Sequence, residues 1–112
     1  MRESQVEAYL VERVKALGGE VRKVRWIGRN GAPDRLVMLP EKVVPKWDGV
    51  SRPGAICVAE EWRRPPRTIW VELKAPGERP KPHQQREHDR MRRMGQVVVV
   101  VDSFEAVDGV LE

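Results

Sequence analysis

Cysteine is almost missing from this chain. Cys57 is the single one in 112 residues, so no disulfide can close within it, and a disulfide-stapled secreted domain is excluded. Cys57 lies in the apolar stretch Ala55-Ile56-Cys57-Val58-Ala59, where a small core or edge residue is expected rather than a nucleophile. No apolar run is long enough to cross a bilayer. The opening residues, Met1-Arg2-Glu3-Ser4-Gln5, lack the apolar stretch of a signal peptide. A cytoplasmic protein without a membrane partner is expected.

What is present suits one folded unit. Hydrophobic residues make up 40% and charged residues 34%, enough for a single core under a charged surface and far from a disordered composition. A chain of 112 residues has the size of one compact domain. Lys and Arg number 21 against 17 Asp and Glu, a net charge of +4. Arg dominates the excess, and its planar fork matches phosphate oxygens. The balance favours a polyanionic partner, weakly.

Residues 3–17 predict a helix, with Val6, Leu10, Val14 and Leu17 on one stripe and Gly18-Gly19 as its stop. Glu7 borders that stripe and can reach into a cleft. Glu20–Trp26 and Asp34–Leu39 predict two strands joined by a turn rich in Gly, Asn and Pro, a hairpin. Residues 40–67 hold five prolines and two glycines. Val43-Val44 and Ala55–Ala59 are candidate short strands there, and the rest is an extended excursion. Within it, Arg63-Arg64-Pro65-Pro66-Arg67 is basic and cannot be helical. Thr68–Lys74 predicts a third strand. Residues 82–94 predict a helix whose only apolar residues are Met91 and Met94. Five consecutive valines in Gln96–Asp102 predict a buried central strand. Ser103 can cap a last helix carrying Phe104, Val107, Val110 and Leu111. The order α-β-β-β-α-β-α gives an α/β fold, a mixed central sheet flanked by helices, with an insertion between the second and third strands.

Chemistry concentrates in Val71-Glu72-Leu73-Lys74. Glu72 and Lys74 project from the same side of a strand, about 7 Å apart. Asp34, at the end of a neighbouring strand, can sit beside Glu72. Two adjacent carboxylates repel each other and are stabilised by a divalent cation between them. Mg²⁺ prefers such oxygen ligands and keeps several waters, one of which can attack phosphorus. The Lys74 ammonium can orient that water or offset phosphate charge. Taken singly, Glu-x-Lys also fits a surface salt bridge, and Pro33-Asp34 fits a turn.

Taken together, the motifs resemble a known family. Gly31-Ala32-Pro33-Asp34-Arg35, Val71-Glu72-Leu73-Lys74-Ala75-Pro76-Gly77, Pro82-His83-Gln84, and Met94-Gly95 before a valine-rich strand ending Asp102-Ser103 look like the VRR-NUC family. That family belongs to the PD-(D/E)xK nucleases, with the restriction-endonuclease-like fold. The resemblance covers nearly the whole chain except residues 40–67, where stand-alone members have a short turn. It implies Asp34 and Glu72 as metal ligands, the Leu73 carbonyl as a third, and Lys74 as the catalytic lysine. It implies a supporting role for Gln84, whose neighbour Gln85 has the same chemistry. Glu7 is implied as an acidic helix residue acting through a second metal or a metal-held water. Lys23 lies where the family often has a basic residue, and a groove or surface role is expected for it.

The resemblance further implies a DNA endonuclease using Mg²⁺ or Mn²⁺. By likeness to stand-alone phage members it is a homodimer selective for branched DNA such as Holliday junctions, working in a bacterial or phage-infected cell. The alternative is a catalytically silent nucleic-acid-binding or phage assembly module on the same fold. His83 and His88, five apart, do not stack on one helix face and are expected at the surface or in a groove. Arg86, Arg90, Arg92 and Arg93 form a solvated helix face or track a phosphate backbone. Trp47, Trp62 and Trp70 suit core packing, or base stacking.

Overall fold

The computed structural model describes residues 1–45 and 61–112. The expected strand piece Ala55–Ala59, with Cys57, and Trp47 lie outside the described residues.

The first helix, α1, spans Glu3–Ala16. Val6, Leu10 and Val14 are fully buried, so three members of its apolar stripe face the core. Leu17 is already the cap residue and stays partly exposed. Gly18 then takes a φ of +80°, and the Gly19 N–H bonds the Val14 carbonyl at 2.9 Å. This is the glycine-dependent turn that ends a helix.

Among the described residues six strands are formed, two of them additional to the expected order. They are β1 (Glu20–Lys23), β2 (Arg35–Leu39), β3 (Lys42–Pro45), β4 (Glu61–Arg64), β5 (Arg67–Leu73) and β6 (Val98–Val101). Two more helices, α2 (Pro82–Arg93) and α3 (Phe104–Leu111), flank β6 in sequence. The main sheet has the order β1-β2-β5-β6. β2 pairs antiparallel with both β1 and β5, and β6 runs parallel to β5. The sheet is mixed, as the order of elements implies.

Alternation along the strands sorts residues between two layers. Val37, Leu39, Ile69, Val71, Leu73 and Val101 meet the α1 stripe and α3's Val107 and Leu111 in one apolar core. The other face carries Trp70, Glu72 and Lys74 and is covered by α2. Ser103 caps α3 as expected, its hydroxyl accepting the Ala106 N–H at 3.0 Å.

Three expectations are corrected. The strand Glu20–Trp26 stops at Lys23, because Trp26 leaves the ladder to pack on Trp70, ring centroids 5.1 Å apart. The valine strand is a sheet edge rather than central. Val98 and Val101 are buried, while Val97 is half exposed. The surface or groove position expected for His88 is corrected as well: its ring is fully buried on the inner side of α2. The face of α2 that turns inward is polar, Glu87 and His88, while Met94 points to solvent.

Part of the insertion is ordered as a hairpin of its own, β3 against β4 with Lys42 opposite Arg64 and Pro45 opposite Glu61. The basic Arg63-Arg64 pair is extended, as its prolines require. Arg64 Nη1 donates to the Glu112 carbonyl at 2.6 Å and Arg67 Nη2 to the Leu111 carbonyl at 3.0 Å. These cations satisfy carbonyls at the C-terminal end of α3, where helix carbonyls lack partners and carry partial negative charge. β2 starts and β5 ends at one end of the sheet, so this hairpin leaves from the opposite end.

Candidate active site

The register of β2 on β5 places Arg35 opposite Val71. One step further along the same ladder puts Asp34 opposite Glu72, and directly opposed residues share a face. Asp34 is fixed at its backbone, where its carbonyl accepts the Val24 N–H at 2.8 Å. Lys74 follows the end of β5, two residues beyond Glu72 and on the same side. Its Nζ donates to Gln84 Oε1 at 2.8 Å. The same oxygen accepts the Lys81 N–H at 2.9 Å, so Gln84 both caps α2 and holds the lysine. Gln85 turns away and donates to Asp89 Oδ1 at 3.0 Å. Of the two glutamines, Gln84 is the neighbour of Lys74.

Glu72 is 8% exposed. Burial pushes its carboxyl up to about 7, Lys74 opposes that rise, and the nearby Asp34 and Glu3 charges add to it. Behind it, His88 Nε2 lies 3.7 Å from Glu72 Oε1, close but beyond hydrogen-bond length. Neither His88 ring nitrogen has a hydrogen-bond partner among the described residues. Burial lowers the basicity of His88, which keeps the ring neutral beside the carboxyl group.

Glu7 is held by Arg35, which also reaches Asp34. Arg35 Nη2 donates to Glu7 Oε1 at 2.8 Å, and its Nη1 lies 3.0 Å from Asp34 Oδ2. Burial disfavours the guanidinium charge, but Glu7 and Asp34 outweigh it and hold Arg35 above its ordinary range. The α1 acid whose charge reaches Glu72 is Glu3, one turn before Glu7.

The Asp34 loop presses on the start of α2. Gly31 has a φ of +87°, and a Cβ there would lie 3.0 Å from the His83 carbonyl and 3.2 Å from Gln84 Cα. Gly31→Ala is therefore expected to cost about 1–3 kcal/mol through backbone strain alone, and to slow catalysis by displacing Gln84 from Lys74. Urea unfolding and single-turnover cleavage of the same variant check both effects. Pro33 is fully buried, and its carbonyl accepts Trp26 Nε1 at 2.7 Å.

The donors available to a metal are oxygens. Among the described residues no group of three or more His, Cys, Asp or Glu side chains is arranged to hold an ion. Asp34 and Glu72 form a two-carboxylate set. A backbone oxygen complements it. The Trp70 and Lys74 N–H groups point to β6, bonding Val97 and Val101 carbonyls at 2.9 and 3.0 Å. The Leu73 carbonyl, one residue out of phase, therefore points to β2. Its register partner there is Pro33, which has no N–H to donate. Two carboxylates and a carbonyl whose ladder partner cannot donate fit a hard cation that retains water ligands. The cost of the buried Glu72 charge is what such a cation would relieve.

Three residues of this site were not picked out by motif. Arg35 carried a signal, a charge at a buried strand position alternating with Val37 and Leu39. His88 stands one helical turn after Gln84, and Glu3 one turn before Glu7, so both share a face with a residue that was picked out.

No family model matches the sequence. The chain is 40% identical over 103 residues to "Putative nuclease p44" of Acyrthosiphon pisum secondary endosymbiont phage 1, covering 92% of this chain and 85% of that protein. A solved structure described as "VRR_NUC domain" matches with a TM-score of 0.68 at 40% identity, over 97% of this chain and 92% of that one. Identity of this extent in sequence and structure, around a mixed sheet that brings Asp34, Glu72 and Lys74 together, establishes that the chain belongs to the VRR-NUC family of nucleases.

Proposed function

We propose that the chain is a divalent-metal-dependent DNA endonuclease, using Mg²⁺ or Mn²⁺, that acts as a homodimer on branched DNA. The observation that carries the reading is the buried Glu72 carboxyl, raised to about 7, opposite Asp34 and two residues from Lys74. A buried acid paired with a second acid is unfavourable without a cation and is the usual mark of a functional site.

Asp34, Glu72 and the Leu73 carbonyl would hold the metal, which supplies Lewis acidity and lowers the pKa of water. Lys74 would orient the attacking water or offset charge on the phosphate. Gln84 fixes the lysine so that its position costs no reorganisation during the reaction. Arg35 holds the Asp34 carboxylate from the side, with Glu7 completing the pair; Glu7 supports the site through Arg35 or a metal-held water. Two symmetric cuts in a junction need two symmetric sites, which a homodimer supplies. No helix among the described residues is long and apolar enough to cross a membrane.

The test is cleavage of labelled four-way junction, flap and linear duplex DNA with Mg²⁺, Mn²⁺ or EDTA. The expected result is cutting with either metal, none in EDTA, and paired symmetric incisions on the junction. Cutting that persists in EDTA would remove the metal from the mechanism. Tight binding without cutting under any condition would favour a silent binding module.

A further inference from the structure

Two surface grooves meet at Trp26 and Arg29. The first runs from Asp34 along Lys23 and Arg25 to Trp26 and Arg29. The second continues from Trp26 and Arg29 over Trp70 to Arg90, Arg93 and Met94. Sharing Trp26 and Arg29, the two grooves form a track that reaches from Asp34 to the C-terminal end of α2. Its walls carry Lys23, Arg25, Arg29, Arg90 and Arg93 against the acids Asp34 and Glu87. Glu87 is buried and already engaged, 3.1 Å from Arg29 and 2.8 Å from Arg90. The track is therefore cationic over a partly apolar floor.

That floor fits particular chemistry. Both indole N–H groups are committed, Trp26 to the Pro33 carbonyl at 2.7 Å and Trp70 to Gln96 Oε1 at 3.1 Å. The two rings are locked as a tilted pair, and what they offer to a ligand is aromatic surface. Trp26 is 37% exposed and Met94 78% exposed. A duplex shows the protein its phosphates and groove edges, with base faces stacked inside. Only unpaired bases present flat apolar faces together with phosphates.

We propose that this track takes unpaired nucleotides of the DNA strand that continues from the cutting site, with bases on the Trp26, Trp70 and Met94 surface and phosphates on the arginines. The inference rests on Asp34 belonging to the cutting centre and names the feature of the substrate that the site selects. A second copy is a poorer occupant. A two-fold contact would turn the same cation-rich walls of both copies toward each other.

The test is equilibrium binding by fluorescence anisotropy in EDTA, comparing a blunt duplex with the same duplex carrying a single-stranded tail. Because no cutting is read, failure here is separate from failure of the nuclease reading. Wild type is expected to prefer the tailed duplex by about tenfold. Met94→Glu and Arg93→Glu, both at solvent-exposed positions, are expected to bring that preference to within about twofold. Arg22→Glu, outside the track, sets the non-specific loss from changing one charge. Equal affinity of wild type for both duplexes, or an undiminished tail preference in both variants, overturns the proposal. Sedimentation showing that Met94→Glu splits a dimer while the tail preference persists assigns the face to a second copy instead.

Discussion

Lys74→Met is expected to lower the single-turnover cleavage rate by about a thousandfold, the scale at which one preorganised donor at a developing charge contributes. The side chain is half buried, and among the described residues its hydrogen bond goes to Gln84. Losing that bond costs the fold about 1 kcal/mol, and Gln84 keeps the Lys81 N–H. The unfolding midpoint should therefore move little while the chemistry is lost. Gln84→Ala tests the positioning role separately. It should slow the reaction by about tenfold, less than removal of the donor itself. A Lys74→Met variant that cuts at a wild-type rate would move the catalytic cation elsewhere, with Arg35 the first alternative.

Glu72→Gln is expected to abolish cutting and yet stabilise the metal-free protein above pH 7. Burial raises the folded carboxyl to about 7, against 4.5 for an ordinary glutamate. Between those values the folded state keeps a proton that the unfolded state has released. Stability contributed at this position is thus present below pH 4.5, falls as pH rises, and is fully lost above 7. The difference amounts to about 3 kcal/mol. The amide removes that loss, so urea unfolding in EDTA should show a gain of about 2–3 kcal/mol at pH 8 and almost none at pH 4. Excess Mg²⁺ should reverse the order, because only the wild-type carboxylate gains from the ion. Equal stability of the two proteins at pH 8 without metal would mean that Glu72 is not strained by its burial.

The main elements could be read from the sequence because their information is local. The α1 stripe, the hairpin of β1 and β2, the Glu-x-Lys strand and the Ser103 cap are patterns of short period, and each is found in place. What was misread depends on partners far along the chain. β6 looked central because its valines are continuous, but an edge strand also reads as apolar when helices cover it. His88 looked solvated because α2 is almost wholly polar, and the period of its two methionines points away from the buried face. The hairpin of β3 and β4 joins Lys42 to Arg64, a pairing that composition cannot reveal across a proline-rich stretch. At the site, Asp34, Glu72, Lys74 and Gln84 were legible because their spacing is motif-like. Arg35 and Glu3 act through space on those residues, and strand alternation or helical spacing marks their faces without revealing that role.

The direction of β2 and β5 has a consequence for how this chain tolerates change. Asp34 enters β2 at one end of the ladder and Glu72 leaves β5 at that same end, while residues 40–66 bridge the other. The two carboxylates are thus held by the five-pair register between β2 and β5, and the connection length does not enter into their separation. Closing a longer bridge costs only about 0.6 kcal/mol for each doubling of its length. The segment is therefore free to grow, shrink or be exchanged without retuning the chemistry. Reactivity and accessory architecture are decoupled within one small sheet.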